Sequence, residues 1–115
     1  MRRVIIESPF AGDRQRNKAY AKAALHDCLL RGEAPMASHL LYPEVLDDGV
    51  PEERELGILA GLEWGLVAHA TVVYHDFGIS SGMEQGILAA QNAGRSVEYR
   101  ILPEFKMLIP GGQEK

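Results

Sequence analysis

Residues 76–86, DFGISSGMEQG, follow an apolar strand-forming run and open a stretch with helical periodicity. That junction gathers unpaired backbone amides, the hydroxyls of Ser80 and Ser81 and the positive end of a helix dipole, which together suit a phosphate or a sugar hydroxyl. Gly78, Ser80, Ser81, Gly82 and Met83 are the candidate ligand-binding residues here, and Asp76 and Glu84 are the candidate catalytic acids. Plainer roles stand beside these. Ser80 or Ser81 can cap the helix, Gly78 can relax a tight turn, Asp76 can be a turn residue, and Glu84 can simply favour the dipole.

A second candidate segment, SPFAGDRQRN at 8–17, also follows a strand-like run. Ser8, Pro9, Phe10, Gly12, Arg14 and Asn17 are its candidate ligand-binding residues. An arginine there, Arg14 or Arg16, has the donors to pair with a phosphate. A solvated arginine is the alternative. His39, in a long aperiodic stretch, is the one histidine placed near a pocket. Phe10 and Tyr20 are candidates to face a base, whereas Trp64 and Tyr74 are expected in the core. Asp47 and Asp48 read as local capping before Pro51. The histidines at 26, 39, 69 and 75 lack metal-ligand spacing, so no metal is expected, and no cofactor is implied.

The elements that position these residues alternate. Arg3 to Glu7 reads as a short buried strand. Asn17 to Arg31 reads as a helix with Ala21, Ala24, Leu25, Cys28 and Leu29 on helical spacing, stopped by Gly32. Ala34 to Ala37 is a second strand, confined by Pro35 to a short or edge element. Ser38 to Val50 reads as a long loop over the strand ends. Pro51 starts a second helix with Glu52 and Glu53 near its positive end. Ala70 to His75 is a third strand, Ser80 or Ser81 to about Ala93 a third helix, and Ser96 to Ile101 a fourth strand. Beyond Pro103 come an apolar patch, Met107 to Ile109, and a frayed tail over 111–115. Strand–helix alternation implies parallel pairing, so the expected fold is α/β: a three-layer α/β/α sandwich with a Rossmann- or flavodoxin-like sheet of four to five strands, forming one domain over 1–110. Ligands in such sheets bind beyond the carboxyl ends of the strands, where both candidate segments fall.

Composition narrows the partners. With 12 Lys and Arg against 16 Asp and Glu, the net charge of -4 offers little attraction to a polymeric nucleic acid. The longest apolar run, Leu66 to Tyr74, is interrupted by His69 and Thr71, so no membrane span is expected. Nothing resembling a signal peptide follows Arg2 and Arg3, and the single Cys28 fits a reducing cytoplasm.

The words ESPFAGD with Asn17 downstream, ASHLLYP, LDD followed by PEER, and the SxGM helix entrance resemble the nucleoside 2-deoxyribosyltransferase-like superfamily, from Val4 to about Leu102. The resemblance is nearest to small phage and bacterial members of that fold. It implies that the opening loop and the serine-glycine helix entrance hold a sugar or phosphate, and that a helical glutamate in the setting S-x-G-x-x-x-E attacks the anomeric carbon. Laid on Ser80 and Gly82, that setting puts Gly86 where the glutamate belongs. A second family carboxylate, which begins a D-L-x-W-like stretch, falls on Gly61 of GLEW. Glycine is neither nucleophile nor acid. Glu84 is no simple replacement, because two helical residues turn a side chain by about 200°.

The expectation is therefore a nucleoside- or nucleotide-binding protein that lacks the usual carboxylates. The alternatives are an N-glycosidase or deoxyribosyltransferase using Glu84 or Asp76, and a structural or interaction protein. Exposed sheet edges and apolar helix faces point to a homo-oligomer.

Overall fold

The computed structural model describes residues 1–108. It contains four parallel strands, β1 (Arg2–Glu7), β2 (Glu33–Met36), β3 (Ala70–Tyr74) and β4 (Ser96–Arg100), in the order β2-β1-β3-β4. Three α-helices connect them: α1 (Arg14–Leu30), α2 (Pro51–Gly65) and α3 (Ser81–Asn92). The expected α/β/α sandwich is what forms, with four strands. The side chains of the Met107–Ile109 patch and the whole of the 111–115 tail lie outside what is described.

Strand order decides which face each helix covers. The chain moves one way from β1 to β2 and the other way from β2 to β3 and β3 to β4, so right-handed crossovers put α1 on one face and α2 and α3 on the other. Alternation within β1 then divides its side chains. Val4 and Ile6 join Tyr20, Ala24, Cys28, Val72 and Tyr74 in the core under α1, while Val73 packs with Met83 and Ile87 of α3. β3 is buried along its whole length, as the β-branched run TVV in the middle of a covered sheet requires. β2 holds Pro35 and is an edge strand, which costs the sheet no central ladder bond.

Three expectations need correction. α1 begins at Arg14 rather than Asn17, because the Asp13 side chain accepts from Arg16 N and caps the helix three residues early. Trp64 is not core. It is about half exposed, its indole donating to Tyr42 Oη at 2.8 Å, because α2 buries only Gly65. Tyr20 cannot face a base, for it is fully buried under α1 with Phe77 and Phe105 edge-on to its ring at 4.8 and 5.0 Å.

The stretch read as one long loop, Ser38 to Val50, contains two short 3-10 turns, Ser38–Leu40 and Tyr42–Glu44. Asp47 closes a local turn, its carboxylate accepting from Gly49 N at 2.9 Å, whereas Asp48 reaches Arg14 at 2.8 Å.

Candidate functional site

Every candidate segment leaves the carboxyl end of a strand, so the fold delivers them to one edge of the sheet. The loop after β1 turns through Gly12, whose φ of 95° lies in the left-handed region that glycine enters without strain. Asn17, nearly fully buried in the first turns of α1, donates from its amide to Phe10 O at 3.2 Å and Ala11 O at 2.8 Å. Its role is to hold the loop's shape. Ser8 is buried at the strand end with its Oγ 2.7 Å from His39 Nε2, which fastens the loop after β2 to the end of β1.

Between these parts lies a cavity of about 130 Å³, with Pro9, Phe10, Arg14, Asn17 and His39 in its walls and Lys18, Leu40, Pro43 and Glu44 completing them. Small-molecule pockets usually run from about 300 to 1,000 Å³, so this one holds a single ring or a phosphate and leaves the rest of a larger guest outside. Arg14 stacks over Phe10, 4.2 Å from the ring centroid, and is paired with Asp48. Lys18 is paired with Glu44 at 3.0 Å. An anion entering here competes with those exposed carboxylates, which hold their partners weakly. Burial pushes the His39 imidazole down from 6.5 to about 4, so it is neutral at physiological pH and offers hydrogen bonds without charge.

The second segment is built as an anion-friendly helix start. Ser80 caps α3, its Oγ accepting from Met83 N at 3.2 Å, and Gly78 supplies the positive φ of the preceding turn. Ser81 and Gly82 are exposed at the first turn. Met83 differs: its side chain is buried against Val73 and Ile87, and its sulfur accepts from Ser80 N, so it packs the helix rather than facing a guest. Glu84 is exposed. Asp76 Oδ2 accepts from Tyr20 Oη at 2.5 Å and from Leu102 N at 2.8 Å, so this oxygen ties β3 to α1 and to the segment after β4. Residues 78–84 do not line the cavity. Among the candidate residues, the structure brings the opening loop and His39 together, and places the α3 entrance beside them at the same sheet edge.

Sequence reading missed Glu7, the last residue of β1. It sits between β1 and α3, on the opposite face of the strand from Ile6, and a Cβ built on Gly86 would overlap its carboxyl group. Burial raises its pKa from 4.5 to about 7, against the opposing pull of Arg95. The signal was present: a carboxylate ending a strand of three consecutive β-branched residues is a charge where a half-buried strand usually keeps an apolar one. Lys18, Pro43 and Glu44 were also missed, and nothing in their local pattern marks them. Gly61, the other position matched to a family acid, faces Ser38, whose Oγ would stand 2.9 Å from an added Cβ.

The family model described as Domain of unknown function (DUF7768) matches residues 2–100. No curated protein matches the chain. Among solved structures, a 2-deoxyribosyltransferase from the psychrotolerant bacterium Bacillus psychrosaccharolyticus is similar in fold, with a TM-score of 0.64 and 19% identity over 86% of this chain and 72% of that one.

Proposed function

The chain belongs to the family described as Domain of unknown function (DUF7768), and from that premise we propose that it is a nucleoside- or nucleotide-binding protein of deoxyribosyltransferase-like fold. The observation that carries this reading is the cavity bounded by Phe10, Asn17 and His39 at the carboxyl ends of the parallel strands. Its size suits a sugar ring or a phosphate. Phe10, half-buried in its wall, offers a face on which a base can stack. Arg14, and the capped start of α3 with Ser80, Ser81 and Gly82, supply the donors for hydroxyl or phosphate oxygens.

The test is a thermal-shift screen of nucleosides, nucleoside 5′-monophosphates and NAD-derived compounds, followed by calorimetry on the best. A ligand at 100 times its Kd stabilises the folded chain by about 2.7 kcal/mol, a shift of several degrees for a domain of this size. His39→Ala and Asn17→Ala should weaken the binding. A flat response across the panel at millimolar concentration would remove the reading.

The assembly we propose is a homo-oligomer that uses α2. Leu56, Ile58, Leu59 and Leu62 are each about half exposed along this helix, as is Val67 just beyond it, and Leu66 is more exposed still. A contiguous apolar face of this kind is what a second copy would bury. Light scattering should give a multiple of 12.7 kDa that falls to the single-chain mass in Leu59→Lys. The buried free thiol of Cys28 accords with a cytoplasmic setting.

A further inference from the structure

Glu7 and position 86 compete for one volume. The Glu7 carboxyl group occupies the space into which any side chain on Gly86 would grow, so a glutamate on α3 at 86 and a glutamate ending β1 at 7 cannot coexist without rearrangement. Gly86 is half-buried six residues after the Ser80 cap, on the side of α3 that meets the sheet. In the S-x-G-x-x-x-E setting this is where a carboxylate would issue. Here a carboxyl group from the neighbouring strand fills the space in which that side chain would begin.

Glu7 is also free to act. Among the described residues no hydrogen bond or ion pair engages its carboxyl group, and no fully enclosed side-chain oxygen or nitrogen is left without a partner, so its oxygens keep an opening to solvent. A structural carboxylate in such a place would be paired, because a buried unpaired charge is costly. Its neighbours do not pair with it. β3 presents Val73 beside it in register, α3 presents Gly86, and Arg95 beyond α3 turns Nε to Thr71 Oγ1 at 3.1 Å and Nη1 to Gly65 O at 2.8 Å, acting on Glu7 through its charge without a hydrogen bond. The next residue, Ser8, is buried and bonded to His39, which stands in the cavity wall. The end of β1 thus joins the two halves of the site.

We propose that Glu7 is the catalytic carboxyl group of an N-glycosidic bond hydrolase, carried by β1 instead of α3, with a nucleoside or nucleoside 5′-monophosphate as substrate. This rests on the binding reading above. As the C1′–N bond breaks, its electron pair goes to the base nitrogen, which takes the proton of the Glu7 carboxyl. Water then forms the new bond to C1′ and returns a proton to the Glu7 carboxylate. One water is consumed, and a free base and a free sugar or sugar phosphate are released. A carboxyl held near neutrality by burial is suited to giving and retaking a proton at pH 7.

The experiment follows base release by chromatography from nucleosides and nucleoside 5′-monophosphates, with calorimetric binding measured in parallel. Expected is release by the native chain that falls about 100-fold or more in Glu7→Gln, a near-isosteric change, while affinity changes by less than about threefold. The paired variant Glu7→Gly with Gly86→Glu should regain part of the rate that Glu7→Gly alone loses, which a merely structural Glu7 would not allow. The native rate should decline with an apparent pKa near 7, a limb absent from the Gln variant. Binding without base release from any substrate, or release indifferent to Glu7→Gln, overturns the proposal while leaving the binding reading intact. Absence of both binding and release overturns the two together.

Discussion

Ser8 Oγ at the end of β1 and His39 Nε2 in the first 3-10 turn lie 2.7 Å apart, and this one hydrogen bond joins the loops that follow two adjacent strands. A neutral imidazole maintains it, and burial keeps His39 neutral down to about pH 4. An unfolded chain would charge that group near 6.5. Stability from His39 is therefore complete above pH 6.5 and declines as pH falls toward 4, by up to roughly 3 kcal/mol. Imidazole titration by NMR should show the His39 ring still neutral at pH 5, and His39→Asn should remove this part of the acid sensitivity.

Glu7 works in the opposite sense. Its folded pKa is about 7, raised from 4.5, so the folded chain holds a proton that the unfolded chain has already lost. Across that window stability falls as pH rises, by roughly 3 kcal/mol in all. Glu7→Gln should accordingly raise the Tm at pH 8 and leave it unchanged at pH 4. Between about pH 4.5 and 6.5 the Glu7 and His39 contributions offset each other. The native Tm should be nearly flat there, with each single variant exposing the slope of the other group.

Beneath the α1 face, Arg100 grips Glu33 with two hydrogen bonds of 2.8 and 2.7 Å, both side chains almost fully buried. The arginine's hydrogen bonds hold the Glu33 carboxyl below its usual range, so the pair persists where a free glutamate would already be protonated. Removing Glu33 leaves the buried Arg100 guanidinium with the longer, partly exposed contact to Glu98 at 3.2 Å as its carboxylate partner. Glu33→Ala should cost about 3 kcal/mol or more in urea unfolding, whereas replacing both by well-packed apolar residues should cost far less.

Tyr20 Oη donates to Asp76 Oδ2 and accepts from Asp76 N, at 2.5 and 2.8 Å. Tyr20→Phe leaves two groups of the 76–78 turn without that partner and keeps the aromatic cluster with Phe77 and Phe105. The expected loss is about 1–3 kcal/mol, measured by chemical denaturation, and hydrogen exchange at Asp76 N should accelerate. Base release, if governed by Glu7, should persist in this variant, whereas an Asp76-centred mechanism would lose it.

Local chemistry made the elements readable. Proline at 51, glycine at 32 and serine at 80 mark helix ends by their own φ preferences and hydrogen-bonding groups, and each marks one in the structure. Asp13 escaped notice because Asn17 lay closer to the apolar periodicity, yet the Asp13 carboxylate is the group that reaches an orphan amide. Trp64 was misplaced because α2 carries apolar residues around much of its circumference, and composition does not say which of them lack a covering layer.

By itself the sequence determined the alternation of strands and helices, the parallel sheet and the sheet edge at which both polar segments emerge, since periodicity, caps and right-handed crossovers act over short stretches of chain. Tertiary structure alone decided that the side chain of Met83 packs inward, that Asp76 is bound to Tyr20, and that Glu7 stands where Gly86 leaves room. Those outcomes depend on distances between residues far apart in the chain. A vacancy on one helix acquires meaning only when a particular strand lies against it.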